Sequence, residues 1–311
     1  AWARKGGASK EKKRAKRARM DAQCYVPVRD DHPNVLAHPA WADAVHVDPD
    51  VLRARTTWRD GVLVTLAAAG IRFDAQGKPR NPHVHTGRKG RGALGKWGVN
   101  HAADPIVTRG GGGTPDTRRQ VLVVYRGDQE GLVPALPGGM VDVLPDGTLE
   151  TFTRTCQREL CEEAVDDTAR EAARAVQDAL AAGTVVHTGY VADPRTTDHA
   201  WIESCAIHAH LDDATARALQ LRTEGTADGE CKGARWLDAE AALDGMYANH
   251  ATLVRHALDA LQAAEKASAA EKASAAEKAW CLVYRVNAAY VGAALACAAA
   301  LLAVGVAAAW A

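Results

Sequence analysis

No Cys-x-x-Cys pair occurs in this chain of 311 residues, although it carries seven cysteines. Zinc ribbons and thioredoxin-like redox centres require that spacing, and an odd number of cysteines in a long chain is no disulfide framework. The expectation is a reducing compartment and no structural zinc. Net charge is also lacking, because 38 basic and 38 acidic residues cancel. No overall field selects a nucleic acid or an acidic partner, so any electrostatic argument has to be local. The glycines at 110 to 113 have no Gly-Lys-Ser/Thr after them, which removes a P-loop. The last 26 residues, 286 to 311, contain no charge at all. That run exceeds the roughly 20 residues a membrane-spanning helix needs, and Lys272, Lys278 and Arg285 flank it. We expect a tail anchored in a membrane and facing the cytosol, with an Ala-rich helix packed on protein as the other reading.

What is present supports a folded body. The hydrophobic content, 47%, is enough for a sizeable core. Position 1 is Ala rather than Met, so the chain is read as a fragment or a processed form. Residues 4 to 19 hold nine Lys or Arg against one Glu, too charged to pack. Residues 1 to 20 are therefore a basic disordered tail, open to nuclear import, anionic lipid or a transit-peptide origin. From 21 to 118, prolines at 27, 33, 39, 49, 79, 82 and 105, among others, break the text into short pieces, as in a loop-rich N-terminal domain. "GGGGT" at 110 to 114 reads as a flexible turn. The β-branched run "QVLVVYR" at 120 to 126 then opens an α/β domain over 119 to 263. Helices are expected near 149–164, 168–181 and 249–264, and strands near 184–191, 200–210 and at "ARWLD". Interleaved strands and helices favour a sheet covered by helices. Residues 264 to 279 repeat "AEKASA" with no apolar stripe, a solvated helical spacer, and 280 to 311 form the tail.

The segment "RELCEEAVDD", 158 to 167, places five acids beside one arginine. Glu159, Glu162 and Glu163 stand at i, i+3 and i+4 and so project from one helix face, where like charges repel. Leu149, Phe152, Cys156, Leu160 and Ala164 form an apolar stripe at the same period, so the acids border a core. A hard divalent cation, Mg²⁺ or Mn²⁺, neutralises such a cluster through oxygen ligands and bridges to phosphates. Arg158 can orient a carboxylate with its planar fork.

"LPGGMVDVLPDGTLETFTRTCQRELCEEAV" resembles the Nudix box, Gx5Ex7REUxEExGU with U aliphatic. Glu150 precedes Arg158 by the required spacing and "RELCEE" matches REUxEE at each fixed place. There are two departures: ten residues instead of five separate Gly139 from Glu150, and Val165 replaces the final glycine. The extra residues read as a turn inserted before the helix. Further blocks, 77 to 109, "GYVADPRTTDHAWIES" and "YANHATL", resemble the mitochondrial-type ADP-ribose pyrophosphatases and the homologous ADP-ribose-binding domain of melastatin-type cation channels.

The resemblance implies a Nudix αβα sandwich with a mixed sheet, preceded by an N-terminal domain that shapes the cleft. It implies Mg²⁺- or Mn²⁺-dependent hydrolysis of ADP-ribose to AMP and ribose 5-phosphate, inside the cell, with the mitochondrion as an alternative to the tail-anchored setting. Glu159, Glu162 and Glu163 would hold the metal, and Glu150 would brace Arg158. The base stays open between Glu159 and a loop acid, Glu224 or Asp228. Asp193, Arg195, Tyr247 and Asn249 would contact substrate, while Asn100 and His101 contact it or brace the interface between domains. Read on their own, Asp193-Pro194 is turn chemistry, Tyr247 core and Asn249 a helix cap. A sensor that binds ADP-ribose without turnover is the rival, and a Nudix hydrolase of another dinucleotide such as NADH the third reading; intact Glu159 and Leu160 favour an enzyme. His208 with His210, and His83 with His85, are two-histidine matches with no third ligand, and Cys156 and Cys161 are packing residues.

Overall fold

One parallel ladder organises the sheet. In the computed structural model, β3 (Gly98–Arg109) and β8 (Ala200–Leu211) run side by side over twelve residue pairs, from Gly98↔Ala200 to Arg109↔Leu211. All their other pairings are antiparallel. The structure describes residues 31–37, 41–111, 118–128, 131–146, 148–166, 168–226 and 231–308, with backbone alone at 128, 279 and 281–308. The basic tail, and the end of the "GGGGT" turn, lie outside the described residues.

In chain order, two short helices, α1 (Pro33–Ala37) and α2 (Pro49–Ala54), precede a hairpin of β1 (Thr56–Arg59) and β2 (Val62–Thr65). After β3 come β4 (Gln120–Asp128), β5 (Gly131–Ala135) and β6 (Gly139–Met140), then α3 (Phe152–Glu163) and α4 (Arg170–Ala181). The remainder is β7 (Thr184–Val191), β8, α5 (Asp213–Ala218), β9 (Ala234–Asp238), α6 (Ala239–Ala242) and α7 (His250–Ala308). The main sheet has the order β5-β4-β3-β8-β7, with β6 pairing β3 and β9 pairing β4. It is the mixed α/β sheet expected from the sequence.

Side chains alternate across a strand, and β8 uses this twice on one face. Trp201 and Glu203 face the N-terminal hairpin, through Thr57 and Trp58. Further along, Cys205, Ile207, Ala209 and Leu211 join Leu160, Val176 and Leu180 of the two helices in the main core. Helix α3 starts because the Thr151 hydroxyl accepts from the Arg154 N–H at 3.3 Å, an N-cap. It buries Thr155, Cys156, Leu160 and Glu163.

Three readings need correction. Residues 98 to 109 were grouped with the loop-rich N-terminal region, yet they form the central strand of the sheet. "GVNHAADPIVTR" has few strand formers, and both faces of β3 are covered, so burial between neighbours decides what propensity does not. The N-terminal region also contains a regular hairpin, Thr56–Arg59 with Val62–Thr65, and Asp60 and Gly61 with positive φ close its two-residue turn. The helix expected to end near 264 continues as α7, so the repeat is helical, and 262 to 278 are exposed throughout. The chain divides into two units, Ala1–Ala257 and Leu258–Ala311. The expected membrane anchor gains no support. Among the described residues no helix is long and apolar enough to cross a membrane, and the side chains of 281 to 311 lie outside the described residues.

Candidate active site

The turn Leu136–Gly139 and helix α3 meet edge to edge, and glycine makes the meeting possible. A Cβ on Gly139 would collide with the Glu159 carboxylate, and one on Gly138 would stand 2.6 Å from Asp104 Oδ1 and 2.8 Å from the Ala103 carbonyl. Gly138 has φ +150°, a conformation open to glycine. Its N–H donates to Glu163 Oε2 at 3.0 Å and its carbonyl accepts from Arg126 Nη2 at 3.0 Å. The residues inserted between Gly139 and Glu150 leave this geometry intact. Val143 and Leu149 form an antiparallel bridge, and the Glu150 N–H returns to the Asp142 carbonyl at 2.9 Å. The insertion is a small hairpin that hands the chain back to α3.

The four glutamates have separate surroundings. Glu150 is buried and receives Arg158 Nη2 at 3.0 Å, Nε at 3.2 Å and the Thr155 hydroxyl at 2.9 Å. Burial works to raise its pKa, but the hydrogen bonds from Arg158 and Thr155 outweigh it and hold the carboxyl below its ordinary value. Arg158 also reaches Glu159 Oε1 at 2.7 Å, Glu162 Oε2 at 3.2 Å and the Met140 carbonyl at 3.1 Å. Burial opposes its charge, yet Glu150 and Glu159 raise its pKa. Glu163 is buried against Arg126 Nη2, 2.7 Å from Oε1 and 3.0 Å from Oε2. Glu162 is 58% exposed.

Glu159 is the strained member. Burial, partly offset by Arg158 and reinforced by Glu163 and Glu162, raises its pKa to about 7. Between the unfolded carboxyl value and pH 7 the folded chain holds a proton that the unfolded chain has released. Stability therefore falls as pH rises through that window. For metal-free protein, Glu159→Gln should remove a penalty on the order of 3 kcal/mol at pH 8. Urea unfolding of both proteins at pH 5 and pH 8 tests this; parallel pH profiles would exclude a raised Glu159.

Among the described residues, no three His, Cys, Asp or Glu side chains stand close enough together to hold a metal ion. The reason is visible: Arg158 holds Glu159 and Arg126 holds Glu163. In kind, the donors suit a hard divalent cation, since all are carboxylate oxygens. Glu159, a carboxylate charged only at a cost in this setting, is the group a cation would relieve.

The other expected residues fall into two groups. Asp193 and Arg195 form a fork, Nε to Oδ1 at 2.8 Å and Nη2 to Oδ2 at 2.9 Å. Burial works to raise the Asp193 pKa, but Arg195 holds it below the usual range. Two of the guanidinium nitrogens are thus engaged within the loop. Tyr247 packs against the main core and stands edge-on to His250 at 5.8 Å. Asn249 starts α7 with its carbonyl, which accepts from the Thr252 and Leu253 N–H groups. Asn100 binds the Lys96 and Gly98 carbonyls, and His101 Nε2 meets Thr56 Oγ1 at 3.1 Å. Both brace the N-terminal region against β3. Glu224 is exposed in the loop before β9, and Asp228 lies outside the described residues. His208 and His210 share Thr108 Oγ1. His83 and His85 separate, His83 stacking on Tyr190 and His85 pairing with Asp198.

Three residues escaped the sequence reading: Arg126, Asp104 and His250. The Leu136 N–H donates to His250 Nδ1 at 2.8 Å, which leaves Nε2 as the protonated nitrogen, 4.0 Å from Asp104 Oδ1. The Ser204 hydroxyl donates to the other Asp104 oxygen. Burial lowers the His250 pKa, with Asp104 and Asp193 opposing and Arg126 and Arg195 assisting. His250 thus lies between charges of β3 and β4 and those of the Asp193 loop. Its one signal in the sequence was adjacency to Asn249.

No family model matches the chain. Among curated proteins, the mitochondrial ADP-ribose pyrophosphatase of Rattus norvegicus is 35% identical over 253 residues, 76% of this chain and 69% of that protein. Nudix hydrolase 6 of Caenorhabditis elegans is 35% identical over 184 residues, 59% of this chain and 63% of that protein. A transient receptor potential cation channel, subfamily M member-like 2, of Nematostella vectensis is 31% identical over 247 residues, 74% of this chain but 15% of the channel. With the glycine turn, the Glu150–Arg158 brace and the carboxylate helix in place, the chain belongs to the Nudix hydrolases of the mitochondrial-type ADP-ribose pyrophosphatase family.

Proposed function

We propose that this chain hydrolyses ADP-ribose to AMP and ribose 5-phosphate. The observation that carries the reading is the convergence of Glu159 and Glu163 on the Gly138–Gly139 turn, with Glu162 on the same helix face and Glu150 locking Arg158 behind them. Water attacks a phosphorus of the pyrophosphate, the bridging P–O bond breaks, and the departing oxygen leaves as a phosphate of one product. Glu159, Glu162 and Glu163 would hold Mg²⁺ or Mn²⁺, which would supply positive charge where negative charge builds on the phosphates. The acceptor of the attacking water's proton is Glu159 or a loop acid, Glu224 or Asp228. Arg158, fixed by Glu150, holds Glu159 and Glu162 on the face they need. An intracellular setting accompanies this reading, and the name of the rat relative carries the mitochondrion.

Chromatography of ADP-ribose incubated with Mg²⁺, Mn²⁺ or EDTA tests the proposal. Equal amounts of AMP and ribose 5-phosphate, formed only with metal, are expected. Intact ADP-ribose that binds tightly without turnover would establish a sensor instead, and turnover of NADH alone another dinucleotide hydrolase.

Substrate choice has to come from outside the generic helix, and we assign it to the Asp193–Arg195 fork and to Tyr247 and Asn249. Arg195→Ala should weaken ADP-ribose binding about ten- to a hundredfold, the range of one lost charged hydrogen bond. Arg195→Lys should fall between, since it keeps charge without the fork. Titration on a Glu162→Gln background, where turnover does not interfere, measures it. Unchanged affinity would make Arg195 a strut for its loop.

A further inference from the structure

A cavity of about 450 Å³ opens in the N-terminal region, beside the end of the β3–β8 ladder where Gly98 pairs with Ala200. Its volume lies in the range of small-molecule sites. Arg72, Arg80, Lys89, Asp198 and His199 are among the residues that line it. None of the residues assigned above to catalysis or ADP-ribose binding does.

The two acids of the wall are already engaged. Asp198 Oδ1 accepts from the Thr86 N–H at 2.6 Å and its hydroxyl at 2.9 Å, and Oδ2 faces His85 Nδ1 at 2.9 Å. Asp74 Oδ1 accepts from the Gln76 and Lys78 N–H groups at 2.9 and 2.8 Å, and Oδ2 faces His199 Nε2 at 3.2 Å. The side chains of Arg72, Arg80 and Lys89, by contrast, form no hydrogen bond or ion pair among the described residues. Three cations therefore border one cavity with its carboxylates committed elsewhere.

His199 is fixed by the contact of its Nε2 with Asp74, and its Nδ1 is sealed from solvent. A ligand for this wall must bring negative charge for the cations. A bare inorganic anion supplies that charge but leaves most of the volume to water.

We propose that this cavity is a second ligand site, separate from the carboxylate helix, for an organic phosphomonoester such as a nucleoside monophosphate or a sugar phosphate. It does not depend on the hydrolytic reading, because none of its residues takes part in that chemistry.

Calorimetric titration of the full chain with AMP, ribose 5-phosphate and inorganic phosphate, in EDTA, tests it. The wild-type protein should bind AMP at a site that persists in Arg195→Ala and weakens at least tenfold in Arg80→Gln/Lys89→Gln. Both replaced side chains are exposed, so the double variant should melt with the wild type. Inorganic phosphate should bind the same site at least tenfold more weakly than ribose 5-phosphate. AMP binding that ignores Arg80→Gln/Lys89→Gln would overturn the site, and equal affinity for phosphate and ribose 5-phosphate would overturn the preference for an organic phosphate. Loss of hydrolysis in Glu162→Gln with this binding intact would separate the two sites.

Discussion

Replacing Glu162 with Gln should lower metal-dependent hydrolysis of ADP-ribose by roughly a hundred- to a thousandfold, the range for losing a group that stabilises transition-state charge, while leaving the melting temperature unchanged. The stability half of this prediction follows from exposure. Glu162 is 58% exposed and touches Arg158 Nη1 at 3.2 Å, and a surface ion pair of this kind contributes about 0–1 kcal/mol. The catalytic half follows from the ligand chemistry. Gln has the shape of Glu but offers a neutral oxygen, a poor ligand for a hard cation that must also face phosphates. Glu163→Gln is expected to differ, because Glu163 is buried against Arg126 and the Gly138 N–H. It should lose activity and stability together, as when one partner of a buried charge pair is neutralised. Rates across a Mg²⁺ titration, with thermal melts of the same samples, separate the effects. A folded Glu162→Gln protein with full activity would move the metal to other acids.

How much of this was legible in the sequence depends on the kind of signal each residue carries. Helix α3 was legible because an apolar stripe and an acidic face share one period, and the observed Phe152–Glu163 falls within the expected 149–164. Strand β4 was legible from its β-branched run. The central strand β3 was not, since its Asn, His, Asp and Pro residues signal a strand only when two neighbours bury both faces. Glu163 illustrates a further limit. Its place on the helix face was clear, but its partner Arg126 lies 37 residues away on β4, and nothing local links them. Asp104 and His250 likewise acquire meaning only when β3 and the start of α7 meet under the Gly138 turn. The apparent defect in the box, the lengthened Gly139–Glu150 spacing, is resolved by a hairpin whose ends pair; spacing along a chain does not show that the surplus can loop out.

Glu203→Ala should be the most destabilising of the single substitutions considered, by about 3–5 kcal/mol, the range for breaking a buried charged network. Glu203 is 1% exposed on β8, far from any signal of periodicity. Its Oε1 accepts from the Thr57 hydroxyl at 2.6 Å and from the Trp201 indole at 2.9 Å, and its Oε2 accepts from the Trp58 N–H at 2.8 Å. His83 stands 3.8 Å away. One carboxylate therefore pins the N-terminal hairpin to the sheet, and alanine would leave three buried donors unmet. Burial works to raise its pKa, but the nearby His83 and the bonds from Thr57, Trp201 and Trp58 outweigh it and hold the pKa below the ordinary value. A depressed carboxyl stabilises the fold above its unfolded pKa, and that contribution fades as pH falls below about 4 through the folded value. Glu203→Gln should show an intermediate loss, since its oxygen still accepts while its amide meets the Trp58 N–H as donor against donor. Urea unfolding at pH 7 and pH 3.5 distinguishes the cases: the gap between wild type and Glu203→Ala should narrow in acid. The same hairpin sets Trp58 against Phe152 at the start of α3, with ring centroids 5.2 Å apart. Its release should consequently loosen the helix that carries the catalytic glutamates, and kcat should fall in a protein whose carboxylates are all present. An unaltered kcat in folded Glu203→Ala would confine the carboxylate to holding the hairpin, with no reach into the site.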